Sequence, residues 1–516
     1  MAFFDYRKIW YRLSWFSTDD TKEERRLIWK LDLLILPYSL AVYIIKYIDQ
    51  ANINNAYVGG MKEDLGFHGN ELVHFQTIYI LGAVLGQIPF LFLLTRIRIH
   101  QVIPILDIAW GIFTLLQYRS TGYTEVMVYR FFVGWFEAPY FITSHYVFGS
   151  WYKRHEIARR AGIWYTAQNI GTLTAGLIQA AASSKLDGVN GLAGWRWMYI
   201  ICACITIPVG IIGFFILPGT PDRPSRVFLS QDDIDLAAKR LHDAGHVTSE
   251  EISWGTLKRV LSCRLTWALL SLDLFFWGGS TNVISGGFLL WLKSLNRYSS
   301  AKINSLGSLS PAIGIFYTLL VSTASDLVLG PAWAITMAHT LNIIGLIILI
   351  TWKVPETALW FAFMTTYAAN SVSGVLYSWV NSVLSHSPVE RSFTLVFINM
   401  ISQSTVAWTP LLVFKTVEAP RFTKGYSFVM GNAICLIIFA HVIRRYLSRR
   451  AGYVLAVPTD VGMQADTKHS TTSTYAPENT ARKQSDNSRS VKLRSLDIGQ
   501  VEKPLAKPVD LALQAV

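Results

Sequence analysis

The sequence is poor in charge. Asp, Glu, Lys and Arg make up 16% of its 516 residues, whereas soluble domains carry about 25%. A soluble chain of this length would divide into several domains with charged surfaces, so that class is excluded. Cysteine is equally scarce, with Cys202, Cys204, Cys263 and Cys435 the only four. Two share one apolar run and none stands in a C-x-x-C pair, which argues against a disulfide scaffold and a zinc site. The first 27 residues hold no apolar run followed by small residues, so no cleavable signal peptide is expected. The first spanning segment then serves as the targeting signal. No P-loop, H-E-x-x-H or G-x-S-x-G pattern occurs, which disfavours ATP-driven transport and an embedded enzyme.

Apolar residues are what the chain has in quantity. They make up 52% of it, with 18 Trp, 23 Tyr and 28 Phe, and the mean hydropathy is +0.33. The net charge of +12 lies in short basic clusters between apolar runs, a sign of membrane topology rather than of nucleic-acid binding. A bilayer core of about 30 Å needs roughly 20 apolar residues per helix. Spans are expected near 29–52, 72–94, 101–119, 123–149, 161–183 and 195–217, then near 265–292, 303–325, 331–352, 357–384, 392–414 and 425–446. The expectation is an all-α membrane protein of twelve transmembrane helices in two six-helix bundles, 29–217 and 265–446. A cytoplasmic N-tail (1–28), a cytoplasmic central loop (218–264) and a disordered cytoplasmic tail (447–516) complete it. Lys and Arg set the orientation. Arg96 and Arg98, Lys153 to Arg160, and Arg444 to Arg450 fall in alternate loops, on the same face as the basic N-tail. Both termini are therefore expected in the cytoplasm. HEIARRAG (155–162) and PVERSFT (388–394) echo each other before the fifth and eleventh spans, and paired halves around a midplane site suit a secondary transporter. SQDDIDLAAKRL (230–241) reads as a cytoplasmic linker helix, with an acidic start and a basic end.

Ionisable groups inside spans cost about 2.5–3.5 kcal/mol on insertion scales, so the few present stand out. Lys46 and Asp49 are three residues apart on one face of the first helix. Lys46 could attract an anionic substrate, with Asp49 setting its charge; an intramembrane salt bridge or a snorkelling lysine would use the same residues. Arg130 and Glu137 lie two turns apart in the fourth span. Desolvation there favours the neutral form of Glu137, which suits loading and release of a proton; a fixed ion pair with a neighbouring helix is the alternative. In the seventh span, Gly278, Gly279, Gly286 and Gly287 flank Asn282. Such a Gly-interrupted segment points to a binding site, although the glycines also suit close helix packing. In the tenth, Tyr367, Asn370, Ser371, Ser378 and Asn381 form a polar face that could bind substrate or neighbouring helices. His145, Asp273 and His339 are expected to be structural. No metal site is expected.

The stretches YIDQANINNAYVGGMKEDLGF (47–67), RFFVGWFEAPYF (130–141), GWRWMYII (194–201) and LPGTPDRP (217–224) resemble the major facilitator superfamily. More narrowly they are similar to the fungal anion:cation symporters around allantoate permease, and within that group to pantothenate and related vitamin transporters. The resemblance spans roughly residues 25–450. It implies proton-coupled uptake of a small carboxylate at the plasma membrane, by rocking of two bundles. The chain departs from the pattern in LLTRIRIHQ (93–101), which lacks the usual acid and glycine, whereas SDLVLGP (325–331) keeps Asp326. Gln50 stands where much of the group has Arg, which raises the weight on Lys46.

The resulting expectation is a proton:organic-anion symporter driven by the proton gradient, without a cofactor. Pantothenate is the first substrate expected, and biotin, nicotinate, allantoate, ureidosuccinate or small peptides are the alternatives. Lys46, Asn282, Tyr367 and Asn370 would bind the substrate, and Glu137, Arg130 and Asp49 would couple the proton. A nutrient sensor that binds without transporting is the reading from another class.

Overall fold

The computed structural model describes residues 15–16, 20–243, 254–384 and 388–449. The expected disordered tail lies outside the described residues from 450 onward, as do most of the N-tail and part of the central loop. Helix α1 (Lys22–Ala56) starts where Thr21 accepts from the Glu24 amide and Glu24 reaches back to the Thr21 amide. This reciprocal cap satisfies two orphan donors and sets the start seven residues before the apolar run suggested. A π-turn (Tyr57–Met61) closes its other end.

Helices α2 (Glu71–Arg96), α3 (Ile99–Leu116), α4 (Tyr123–Glu137), α5 (Tyr140–Trp151), α6 (Arg154–Lys185) and α7 (Gly194–Ile216) follow. The expected fourth span is thus two helices. Pro139, which has no N–H to give the ladder, sits at the break. The LPGTPDRP motif makes a minute antiparallel hairpin, Gly219–Thr220 against Arg223–Pro224. Gly219 takes φ +74 there, and its carbonyl accepts from the Trp151 indole at 2.8 Å.

The linker helix is present as α8 (Gln231–Asp243), followed by α9 (Trp254–Ser262), which periodicity did not foretell. The second half holds α10 (Arg264–Ile284), α11 (Gly287–Ser294), α12 (Ser300–Gly307), α13 (Leu309–Ala324), α14 (Pro331–Thr351), α15 (Glu356–Thr365), α16 (Ser373–Val383), α17 (Pro388–Val413) and α18 (Thr423–Arg449). Three of the expected spans are interrupted here. Gly286 (φ +71) separates α10 from α11, a left-handed conformation that side chains disfavour. Pro311 cannot donate back across the α12–α13 junction. A 3-10 stretch, Thr366–Val372, joins α15 to α16.

Among the described residues, seven helical stretches are long and apolar enough to cross a membrane. Large apolar side chains such as Leu33, Phe215, Phe316 and Ile438 face outward, as a lipid-facing surface requires. The main packing pairs are α1 with α6, α2 with α4 and α3 with α7, and in the second half α18 with α10 and α14. The halves meet where α17 packs on α2 and where α12 and α13 pack on α6. Glycine sets the α2–α4 distance. A Cβ on Gly134 would lie 2.1 Å from the Tyr79 carbonyl oxygen, and one on Gly82 would lie 2.2 Å from that of Phe131. Small residues let the two backbones approach this closely.

Candidate functional site

The intramembrane charges pair differently from the pattern along each helix. Lys46 reaches across to α4 and places Nζ 2.8 Å from Glu137 Oε1. The Tyr79 hydroxyl donates to the same oxygen. Glu137 is fully buried, and its Oε2 has no hydrogen-bond partner. Asp49 turns away from Lys46. It accepts from the Trp110 indole, from Thr114 at 3.2 Å and from Asn52 at 3.0 Å. Arg130 does not meet Glu137 either. Its guanidinium donates to the Asp49 carbonyl at 2.9 Å and lies over the Tyr79 ring, 4.5 Å from the centroid. Asp49 and Arg130, joined to each other, therefore brace α1 against α3 and α4 beside the Lys46–Glu137 ion pair. Tyr79 touches both charged groups of α4. Sequence reading missed it, since a tyrosine in an apolar run carries no signal of its own.

A cavity of about 80 Å³ opens further along α1. Ala51, Asn54 and Asn55 line it from α1, and Thr172 from α6. Asn282, Ser308, Ser310, Thr366, Tyr367 and Tyr426 line it from the second half. None of its lining residues is charged. Asn282 Oδ1 and the Tyr426 hydroxyl are buried without partners, so two polar groups in the lining stand ready for a ligand. Of the residues singled out from sequence, Asn282 and Tyr367 belong to this lining. Asn370 does not: in 3-10 geometry it eclipses Tyr367 one turn, about 6 Å, further along. Lys46 is five residues before Ala51 and nine before Asn55, roughly 7–14 Å at 1.5 Å per residue. The charged pair and the uncharged cavity are thus neighbouring, offset parts of one interior. Sequence reading missed Asn54 and Asn55, although the Asn-rich IDQANINNAY run could have marked them, whereas nothing around Tyr426 marks it.

The seventh-span break supplies the wall of the cavity. Losing the helical ladder at Gly286 leaves the Ile284 carbonyl free. It accepts from Asn54 and Gln76, both at 3.2 Å, and Gln76 also donates to Asn54 Oδ1 at 2.5 Å. Both amides come from the first half. Among the described residues no group of three or more His, Cys, Asp or Glu is arranged to hold a metal ion.

At the end carrying the N-tail lies a second, structural set of charges. Arg160 grips Asp32 with two hydrogen bonds of 2.6 and 2.7 Å and stacks over Tyr152. Helix α8 is tied on by Arg240 to Glu156 at 2.6 Å and by Lys30 to Asp233 at 2.5 Å. Partial burial pushes the Asp233 carboxyl up, but the Lys30 ammonium and the Ser230 amide and hydroxyl together hold it below the usual aspartate range.

An all-helical fold with a polar interior between two halves defines a membrane transporter. Residues 40–410 match the profile of the Major Facilitator Superfamily, and the chain belongs to that family, whose members are transporters and not enzymes. It is 37% identical to a vitamin H transporter of Saccharomyces cerevisiae, over 82% of this chain and 73% of that one. It is 31% identical to a pantothenate transporter of Schizosaccharomyces pombe, over 83% and 84%. A proton:xylose symporter structure superposes with a TM-score of 0.62 at 15% identity, over 82% of this chain and 96% of that one, a likeness of fold alone.

Proposed function

We propose that the chain imports a vitamin monocarboxylate together with a proton across the plasma membrane, through twelve spans in two six-helix bundles with both termini cytoplasmic. The observation that carries this reading is the Lys46–Glu137 pair, buried beside a cavity lined by amides and hydroxyls. At rest the pair is neutral overall. A substrate carboxylate that takes Lys46 would leave Glu137 as an isolated buried anion, which is costly. A proton on Glu137, taken at the bare Oε2, keeps the site neutral. Anion and proton therefore enter as a unit, and neither state of the site holds an unpaired charge. The cavity supplies Asn54, Asn282, Tyr367 and Tyr426 for the amide, ureido or hydroxyl groups of the substrate. Asp49 and Arg130 hold the frame in which Lys46 and Glu137 exchange partners.

Biotin is the first substrate, because identity to the vitamin H transporter exceeds that to the pantothenate transporter. Pantothenate, the first expectation from motifs alone, is the second. The experiment is uptake of each labelled vitamin by cells lacking their own carriers, at pH 5 to 8. Uptake of one vitamin that rises toward acid pH and is blocked by excess of the same unlabelled vitamin supports the reading. Specific binding without uptake would instead make the protein a sensor.

A further inference from the structure

One more carboxyl inside the spans takes no part in the exchange above. Asp273, on α10, is fully buried. Neither of its oxygens has a hydrogen-bond partner. The Tyr377 hydroxyl from α16 and the Ser402 hydroxyl from α17 face it, and neither closes a bond of ordinary length. Tyr165, from α6 in the first half, lies within reach of its charge. No cation of the described residues pairs with it. Among the described residues, the other buried carboxylates of the interior have donors: Glu137 has Lys46 and Tyr79, Asp49 has Trp110, Thr114 and Asn52, and Asp107 has Tyr38 at 2.5 Å. A bare carboxylate charge at such a site has nothing to offset its insertion cost.

The neighbours place Asp273 at the seam between halves and not against lipid. Tyr377 accepts from the Trp277 indole at 3.2 Å and donates to Asn399 at 3.0 Å, and its ring lies 6.0 Å from that of Phe141 of the first half. Tyr165 lies 3.3 Å from His145 Nε2, while His145 Nδ1 lies 3.0 Å from the Phe141 carbonyl. That second contact fixes the proton on Nδ1 and makes Tyr165 the donor to Nε2. Tyr377, a neighbour of this carboxyl, thus packs against the first half, across the surface that rocking would part.

We propose that Asp273 is a second proton-carrying residue, loaded and emptied as the seam opens and closes, so that each carboxylate enters with two protons. This rests on the proton-coupled reading of the Lys46–Glu137 site and adds to it. The balance is explicit. One proton on Glu137 compensates the substrate anion and moves no net charge. A second proton on Asp273 adds one positive charge per cycle, so transport becomes electrogenic and responds to membrane voltage.

The test is current and labelled-vitamin uptake measured together, on the full chain in vesicles with an imposed pH gradient. The expected result is one positive charge moved per carboxylate by the wild type. Asp273→Asn should reduce this to none while pH-driven uptake persists, and Asp273→Glu should restore the charge. If the wild type shows pH-driven uptake with no current, or Asp273→Asn keeps the wild-type charge per carboxylate, this proposal falls and the proton-coupled reading stands. If Asp273→Asn abolishes uptake altogether, Asp273→Glu decides: restored uptake with charge supports the proposal, and uptake restored without charge overturns it. Wild-type uptake indifferent to the pH gradient would overturn both.

Discussion

Glu137 offers one oxygen to Lys46 and Tyr79 and leaves the other bare. Removing either charge of the pair strands the other in a buried site, a loss of about 3–5 kcal/mol when a buried pair is broken. Lys46→Ala alone should therefore lower the melting temperature in detergent markedly, and the double variant Lys46→Ala/Glu137→Gln should recover most of that loss while remaining inactive in uptake. Recovery of uptake in the double variant would remove Lys46 from substrate binding. Gly134 makes a prediction of another kind. Gly134→Ala sets a Cβ against backbone at 2.1 Å, where no side chain can yield. We expect a loss of about 1–3 kcal/mol, read as a lower melting temperature. At this scale the residue types were legible: Lys46, Asp49, Arg130 and Glu137 stand out in any apolar run. Their partners were not. Spacing of three or seven puts two residues on one helical face, but the fold turned Asp49 toward α3 and Lys46 toward α4, and only tertiary packing decides that.

Helix breaks shape the cavity, and sequence showed them unevenly. Pro139, Pro311 and the glycines of the seventh span were visible punctuation. Which glycine would take the left-handed conformation was not, because Gly278 and Gly279 sit inside α10 as ordinary helical residues while Gly286 does not. The freed Ile284 carbonyl then found its donors in another half of the chain, a contact of long sequence separation. Asn54→Leu removes one donor and one acceptor from that knot, leaving Gln76 without its Asn54 contact. We expect a cysteine placed at Ser310 to react several-fold faster with a membrane-impermeant thiol reagent in this variant. The docked linker helix α8 makes a pH prediction. Asp233 has a folded-state pKa below its unfolded value, so its contribution to docking is complete above the ordinary aspartate pKa, about 3.9. That contribution is lost as pH falls through the lower folded value. Amide hydrogen exchange in α8 should therefore be unchanged between pH 5 and 7 once corrected for intrinsic rates. Asp233→Asn should raise it at pH 7, modestly, since the pair is partly exposed.

Across the whole molecule, one set of polar bonds between the halves lies at the end where α1 closes. Lys293 pairs with Glu63 at 2.7 Å, Asn70 accepts from the Val417 amide at 3.2 Å, and Thr416 accepts from that of Val73 at 3.3 Å. Deeper in, Gln87 donates to Gln403 at 3.2 Å and Asn169 to Thr318 at 2.9 Å, so the halves are joined along their length. The helical membrane fold was legible at this scale, since apolar runs of about 20 residues report spans directly. The cavity was not, because amides and hydroxyls from both halves of the chain look alike whether they bind a substrate or a neighbouring helix. The central claim is that one buried ion pair couples a carboxylate to a proton. It is tested most directly by labelled biotin in vesicles holding the purified protein, with acid outside. The account predicts accumulation above equilibrium in the wild type, collapse on adding a protonophore, and, for Glu137→Gln, exchange of labelled for unlabelled biotin without accumulation. Glu137→Gln accumulating biotin as the wild type does would contradict it.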